Sequence, residues 1–200
     1  MARLAALPRA ATRAAAAAKR PPIPPPPPAP DTYTTSPLTW ARAAKVVGER
    51  DFQSFAPPQG GRSQQMQADY DAWRLHGALA GYASISDFIK IERLGLASAE
   101  EADGRLGCSE PEPFPRKVIW WPNDFPYFVE PGIEHHVIWV SGFADAPLET
   151  HPEIVAELER QRPAGSWEVL FWENPTELRS IPEVRHVQVL SRPRRPAPRL

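Results

Sequence analysis

The run Asn123-Asp124-Phe125-Pro126-Tyr127 carries the densest set of chemically useful side chains in this 200-residue sequence. Pro122 and Pro126 stiffen it. Asn123 both donates and accepts hydrogen bonds, an ionised Asp124 only accepts, and Tyr127 offers a hydroxyl on an apolar ring. Together they suit a polyhydroxylated or amide-bearing ligand; the alternative is that Asn123 and Asp124 only fix their own turn. Further on, strand alternation over 134–140 sets His135, Val137 and Trp139 on one face and His136, Ile138 and Val140 on the other. The two histidines diverge. The chain also lacks helically spaced His-Glu pairs and has one cysteine, Cys108, so no metal site and no cofactor is expected.

Nearer the C-terminus, Asn174-Pro175 closes a strand into a turn and Arg179-Ser180 leads to a last strand with His186 and Gln188 on one face. Arg179 is a permanent cation that can grip a carboxylate or phosphate through two parallel hydrogen bonds. The competing role is a structural tie to a backbone carbonyl or to a carboxylate such as Asp124. His186 titrates near neutrality when unperturbed, which suits acid/base work if it faces a pocket and has an orienting partner. A satisfied core histidine is the other reading. No Walker loop, Gly-x-Ser-x-Gly elbow, Gly-x-Gly-x-x-Gly fingerprint or His-Glu-x-x-His motif occurs. Cys108, between Gly107 and Ser109, reads as a loop thiol.

Positioning these groups requires a scaffold, and the pattern of the chain changes period halfway. Residues 38–50, 63–80 and 85–93 read as helices. In the second, Met66, Tyr70, Trp73 and Gly77 fall on one face and form a core stripe. Ser98 with Glu101, and Thr150 with Glu153, have capping-box spacing, so a short helix is expected after each. Residues 117–121, 134–140, 167–172 and 185–190 are β-branched and aromatic runs, interrupted by one helix over about 152–162. This predicts an α+β fold: N-terminal helices, then a mostly antiparallel sheet of about four strands with one inserted helix.

Residues 1–35 form an arm rich in alanine, arginine and proline, without an acid before Asp31. It matches an organelle transit peptide and equally a disordered arm. One α+β domain is expected over 36–191 and a disordered Arg/Pro tail over 192–200. The 23 basic and 24 acidic residues nearly cancel, so no global field draws the chain to nucleic acid or an anionic membrane. No apolar run approaches the roughly 18 residues of a spanning helix.

The ordered set Arg62-Ser63, Tyr70, Tyr82-x-Ser-x-x-Asp-Phe88, Asn123-Asp124-Phe125-Pro126-Tyr127, His135-x-x-x-Trp139, Asn174-Pro175, Arg179-Ser180 and His186 resembles a domain-of-unknown-function family of fungi and some other microbial eukaryotes. That family is typified by the fungal N-acetylglucosamine-induced protein, and the likeness runs from about residue 50 to 192. It implies a cytoplasmic protein linked to amino-sugar metabolism, with a mitochondrial or plastid location as the alternative if the arm is a transit peptide. The last strand departs from the family's His-Val-His-Val pattern at Gln188, which puts a paired-histidine mechanism in doubt. The expected site is one pocket for a small polar metabolite, such as an amino sugar or its phosphate. It gathers Asn123, Asp124, Tyr127, His135 and Trp139 with Asn174, Arg179, Ser180 and His186. The competing readings are an enzyme acting on a phosphorylated or nucleotide sugar, with His186 as acid/base or nucleophile and Arg179 as anion clamp, and a protein-interaction domain.

Overall fold

Two strands with apolar side chains on both faces cannot sit at a surface, and β4 (Glu134–Ser141) and β6 (His186–Pro193) accordingly lie side by side in the middle of a sheet. The computed structural model describes residues 33–56, 61–143 and 146–194. The transit-peptide and disordered-arm readings therefore lie outside the described residues up to residue 32, as does the tail from 195.

The sheet is antiparallel throughout, in the order β3-β4-β6-β5, with β3 at Lys117–Pro122 and β5 at Trp167–Glu173 on its edges. Helices precede it: α1 (Trp40–Glu49), α2 (Gln64–Trp73), α3 (Leu79–Gly81) and α4 (Ile85–Phe88). The Pro152–Gln161 helix, α5, is the inserted one. The fold is α+β, as its sequence pattern predicts.

Side-chain alternation splits the core in two. Ile138, Val140, Val187 and Val189 point to one face and bury Ile154 and Leu158 of α5. Val137, Trp139, Trp172 and Leu190 point to the other, where the N-terminal helices and the 3-10 turn Phe52–Phe55 cover them. On this second face His135, His186 and Gln188 are also buried. Buried polar groups need partners, which directs attention to this face.

Local capping explains where the helices start. Thr39 accepts a hydrogen bond from Arg42 N–H at 3.3 Å, Ser63 from Met66 N–H at 3.4 Å and Ser84 from Asp87 N–H at 2.9 Å. Three expectations are corrected. Ser98 begins no helix: β1 (Ser98–Glu100) pairs antiparallel with β2 (Leu106–Cys108), because Asp103-Gly104, with Gly104 at φ +80°, makes the tight reversal that a hairpin needs. α5 is capped by His151 instead of Thr150, its ring nitrogen accepting from Glu153 N–H at 3.3 Å, since Pro152 takes the first helical position. The third concerns the stripe on α2. Tyr70 is buried, but Gly77 is exposed and Ala78 buried in its place, because Arg74–Ala78 is a π-helical turn and its extra residue rotates the inward position by one.

The last strand also passes the domain limit expected at residue 191. Arg192 and Pro193 face Glu168 and Trp167 across the ladder, and the Arg192 guanidinium is 2.6 Å from the Glu168 carboxylate. A proline is tolerated there because it ends the strand.

Candidate functional site

β4 delivers His135 to the helical face, close to Gln188 of β6. The backbone N–H of Tyr127 donates to His135 Nδ1 at 2.9 Å. A neutral imidazole accepting at Nδ1 carries its proton at Nε2, and Gln188 Oε1 accepts that proton at 2.8 Å. Asn123 Nδ2 lies 3.3 Å from the same Nε2, so it meets a donor there and finds no acceptor on the ring. Its Oδ1 meanwhile accepts from Phe125 N–H at 3.0 Å. Gln188 thus receives the His135 proton. His135 braces the 123–127 loop against the sheet.

Burial pushes the His135 pKa down to about 3, against an ordinary 6.5. The unfolded chain takes up a proton near pH 6.5 and the folded chain does not until about pH 3. The contribution to stability is therefore complete above pH 6.5 and declines as pH falls toward 3. We expect urea unfolding to show a loss of roughly 2 kcal/mol from this group between pH 6.5 and 5, and His135→Gln to flatten that slope. An unchanged slope in the variant would show that His135 is not desolvated. His186 shifts in the same direction, chiefly through burial.

A second group ties β5 to the loop. Trp172 Nε1–H donates to Asn174 Oδ1 at 2.7 Å, and the Asn174 side chain also bonds the Tyr127 hydroxyl, whose pKa burial raises. Arg179 donates from Nε to the Asn174 carbonyl at 2.8 Å and from Nη2 to Glu173 Oε1 at 3.0 Å. Arg179 is therefore the structural tie, and its acid is Glu173 instead of Asp124. Asp124 is exposed and pairs with Arg93 at 2.8 Å.

These supports surround a cavity of about 160 Å³, whose polar lining includes Arg62, Gln67, Asn123, Tyr127, Asn174 and Gln188. A smaller lobe of about 60 Å³ shares Arg62, Asn123, Ser180 and Gln188 with it and adds Trp139 and His186. The larger volume is comparable to the ~150 Å³ that holds a benzene ring, which suits one small ligand or the head of a larger one. In the smaller lobe the His186 ring lies tilted against Trp139, ring centres 4.8 Å apart, and its Nδ1–H donates to the Val184 carbonyl at 2.8 Å. That leaves Nε2 unprotonated. An open hollow of about 420 Å³ lies elsewhere, but its Arg192 and Glu168 neutralise each other.

Of the expected site residues, Asn123, Tyr127, Asn174, Ser180, Trp139 and His186 line the two lobes, and Asp124 stands at the smaller one with its carboxylate engaged. His135 and Arg179 line neither; they support residues that do. Arg62, Gln67 and Gln188 are among the lining residues that carried no expected ligand role. The signal for Arg62 was faint: Gln65 and Met66, three and four positions on, supply no acid to pair with it. Among the described residues no group of three or more His, Cys, Asp or Glu could hold a metal ion, and no helix is long and apolar enough to cross a membrane.

No curated protein matches the chain. A solved structure described as "Crystal Structure of HTC1" is 19% identical, with a TM-score of 0.45 over 76% of this chain and 83% of that one. The model of the family described as "Protein of unknown function (DUF3605)" matches residues 39–192, a span that takes in the four-stranded sheet apart from Pro193, the last residue of β6, and each lining residue named above. The chain belongs to the DUF3605 family.

Proposed function

We propose that this protein binds a small polar metabolite in the cavity between its helical layer and its sheet. The observation that carries the reading is the lining itself: side chains from the 61–67 segment, the 123–127 loop, the 174–180 turn and β6 converge on one small cavity. A tightly packed interior seldom keeps space beside polar groups unless water or a ligand fills it. The amino-sugar context rests on the resemblance to the fungal N-acetylglucosamine-induced protein, and with it the expectation of a cytoplasmic role.

An enzyme acting on a phosphorylated or nucleotide sugar is the second reading. It draws on the unprotonated Nε2 of His186 beside the smaller lobe, but Arg179, its expected clamp, is already bonded to Asn174 and Glu173. The protein-interaction reading has less support, because Val155 is the large hydrophobic side chain exposed among the described residues.

A thermal-shift screen of the full chain against amino sugars, their phosphates and small carboxylic acids tests the proposal. A ligand at about 100 times its Kd should stabilise the fold by roughly 2.7 kcal/mol. Ser180→Tyr, which sets a ring at the point common to both lobes, should abolish the shift. A shift that survives Ser180→Tyr would move binding to another place on the protein.

A further inference from the structure

The guanidinium of Arg62 is set into the cavity wall, and no carboxylate among the described residues pairs with it. Its Nε–H donates to the Phe125 carbonyl at 3.0 Å, its Nη1 reaches Gln67 Oε1 only at 3.5 Å, and its Cζ lies over the Tyr70 ring, 4.3 Å from the ring centre. It makes no ion pair among the described residues, and desolvation lowers its pKa. Five N–H donors are available on a guanidinium, so most of them have no acceptor among the described residues. Arg74 adds a second cation 5.6 Å from the same Tyr70 ring, with its Nε buried and unpartnered. The Tyr70 hydroxyl is likewise buried without a partner. The nearby acid, Asp71, accepts from Gln67 Nε2 at 3.0 Å, which turns the Gln67 oxygen toward Arg62 and not the carboxylate itself.

Leaving a cation desolvated and unpaired costs several kcal/mol, and proteins keep one where something else supplies the charge. We propose that the ligand of this cavity carries an oxyanion, a phosphate monoester or a carboxylate, and that Arg62 is its anchor. Arg62 belongs to both lobes, so an anion there leaves the rest of the ligand to reach Asn123 and Asn174 on one side or Trp139 and His186 on the other. This assignment rests on the binding reading above and replaces Arg179 with Arg62 as the anion clamp.

The test is calorimetric titration of the full chain with N-acetylglucosamine, N-acetylglucosamine 6-phosphate and glucuronate. The first is neutral, the second a phosphate monoester and the third a carboxylate. We expect one or both anions to bind about tenfold tighter than the neutral sugar, or better, as a charge-assisted contact should. The preferred anion identifies its source. Arg62→Gln should reduce the anion to the affinity of the neutral sugar, and Arg62→Lys should retain part of the preference, since it keeps the charge and loses the fork. Equal affinities of the wild-type chain for all three would overturn the anion assignment and leave the binding reading standing. A heat of binding for none of them, together with no thermal shift across the wider screen, would remove both. The wild-type ratio decides the matter even if a variant fails to fold.

Discussion

Trp172→Ala should destabilise the protein by about 3–5 kcal/mol, the range for removing a large aromatic from a close-packed core. Trp172 is fully buried. Its ring lies 4.8 Å from Phe55 and 6.2 Å from Phe52, both stacked, and truncation would leave a void that those two rings can fill only by moving. Phe52 and Phe55 also line the larger lobe, so the loss should reach the shape of the cavity as well as stability. The indole N–H adds a polar component, because without it Asn174 Oδ1 keeps no donor from that side. Trp172→Phe separates the two effects: it retains most of the ring and removes the hydrogen bond, at a cost of about 1–3 kcal/mol. Urea unfolding of both variants measures the difference. Equal losses in the two would mean that the hydrogen bond, and not the aromatic packing, holds β5 against the helical layer.

Glu173→Ala should be nearly as damaging, at about 3 kcal/mol or more, for a different reason. The carboxylate accepts from Arg179 Nη2 at 3.0 Å, from Arg185 Nε at 2.9 Å and from Arg185 Nη2 at 2.7 Å. Its side chain is only 11% exposed, against 13% for Arg179 and 26% for Arg185. Removing a shared partner from two arginines leaves desolvated cations near each other, which costs more than the intact bridge contributes. The partial exposure of Arg185 places the effect toward the lower end of the 3–5 kcal/mol range seen for broken buried pairs. Arg179 would keep its bond to the Asn174 carbonyl but lose its second anchor, so the 174–180 turn, which lines the cavity, should loosen as stability falls. Denaturation in low and high salt is the check. A Glu173→Ala penalty that disappears in salt would place this bridge among the screened surface pairs.

The elements were legible where a single periodicity spoke. The alternation in 134–140 predicts that His135 and His136 diverge, and the sheet obeys: His135 lies on the helical face with Val137 and Trp139, while Ile138 and Val140 pack on α5. Local chemistry misled where two signals competed, as at Ser98, where an Asp-Gly reversal prevailed over a capping box. It misled again along α2, where a π-helical turn cannot be read from spacing that assumes 3.6 residues per turn.

For the candidate site, residue types and order suggested Asn123, Tyr127, Asn174, Ser180 and His186, because their capacity to hydrogen-bond is an intrinsic property of the side chain, and all five line the two lobes. Which of the expected site residues face the cavity and which only hold others in place is decided by partners far off in the chain. Arg179 and Arg62 are the same residue type in loops of similar character, yet Glu173 and the Asn174 carbonyl occupy Arg179, while Arg62 meets one carbonyl, the Gln67 amide oxygen at 3.5 Å and the face of Tyr70. His135 lies on the expected face but is saturated by Tyr127 N–H and Gln188 Oε1. Charge and donor count belong to the residue and can be read from the sequence; whether they are already satisfied depends on neighbours 5 to 63 positions away, and only the packed tertiary structure brings those neighbours within hydrogen-bonding distance.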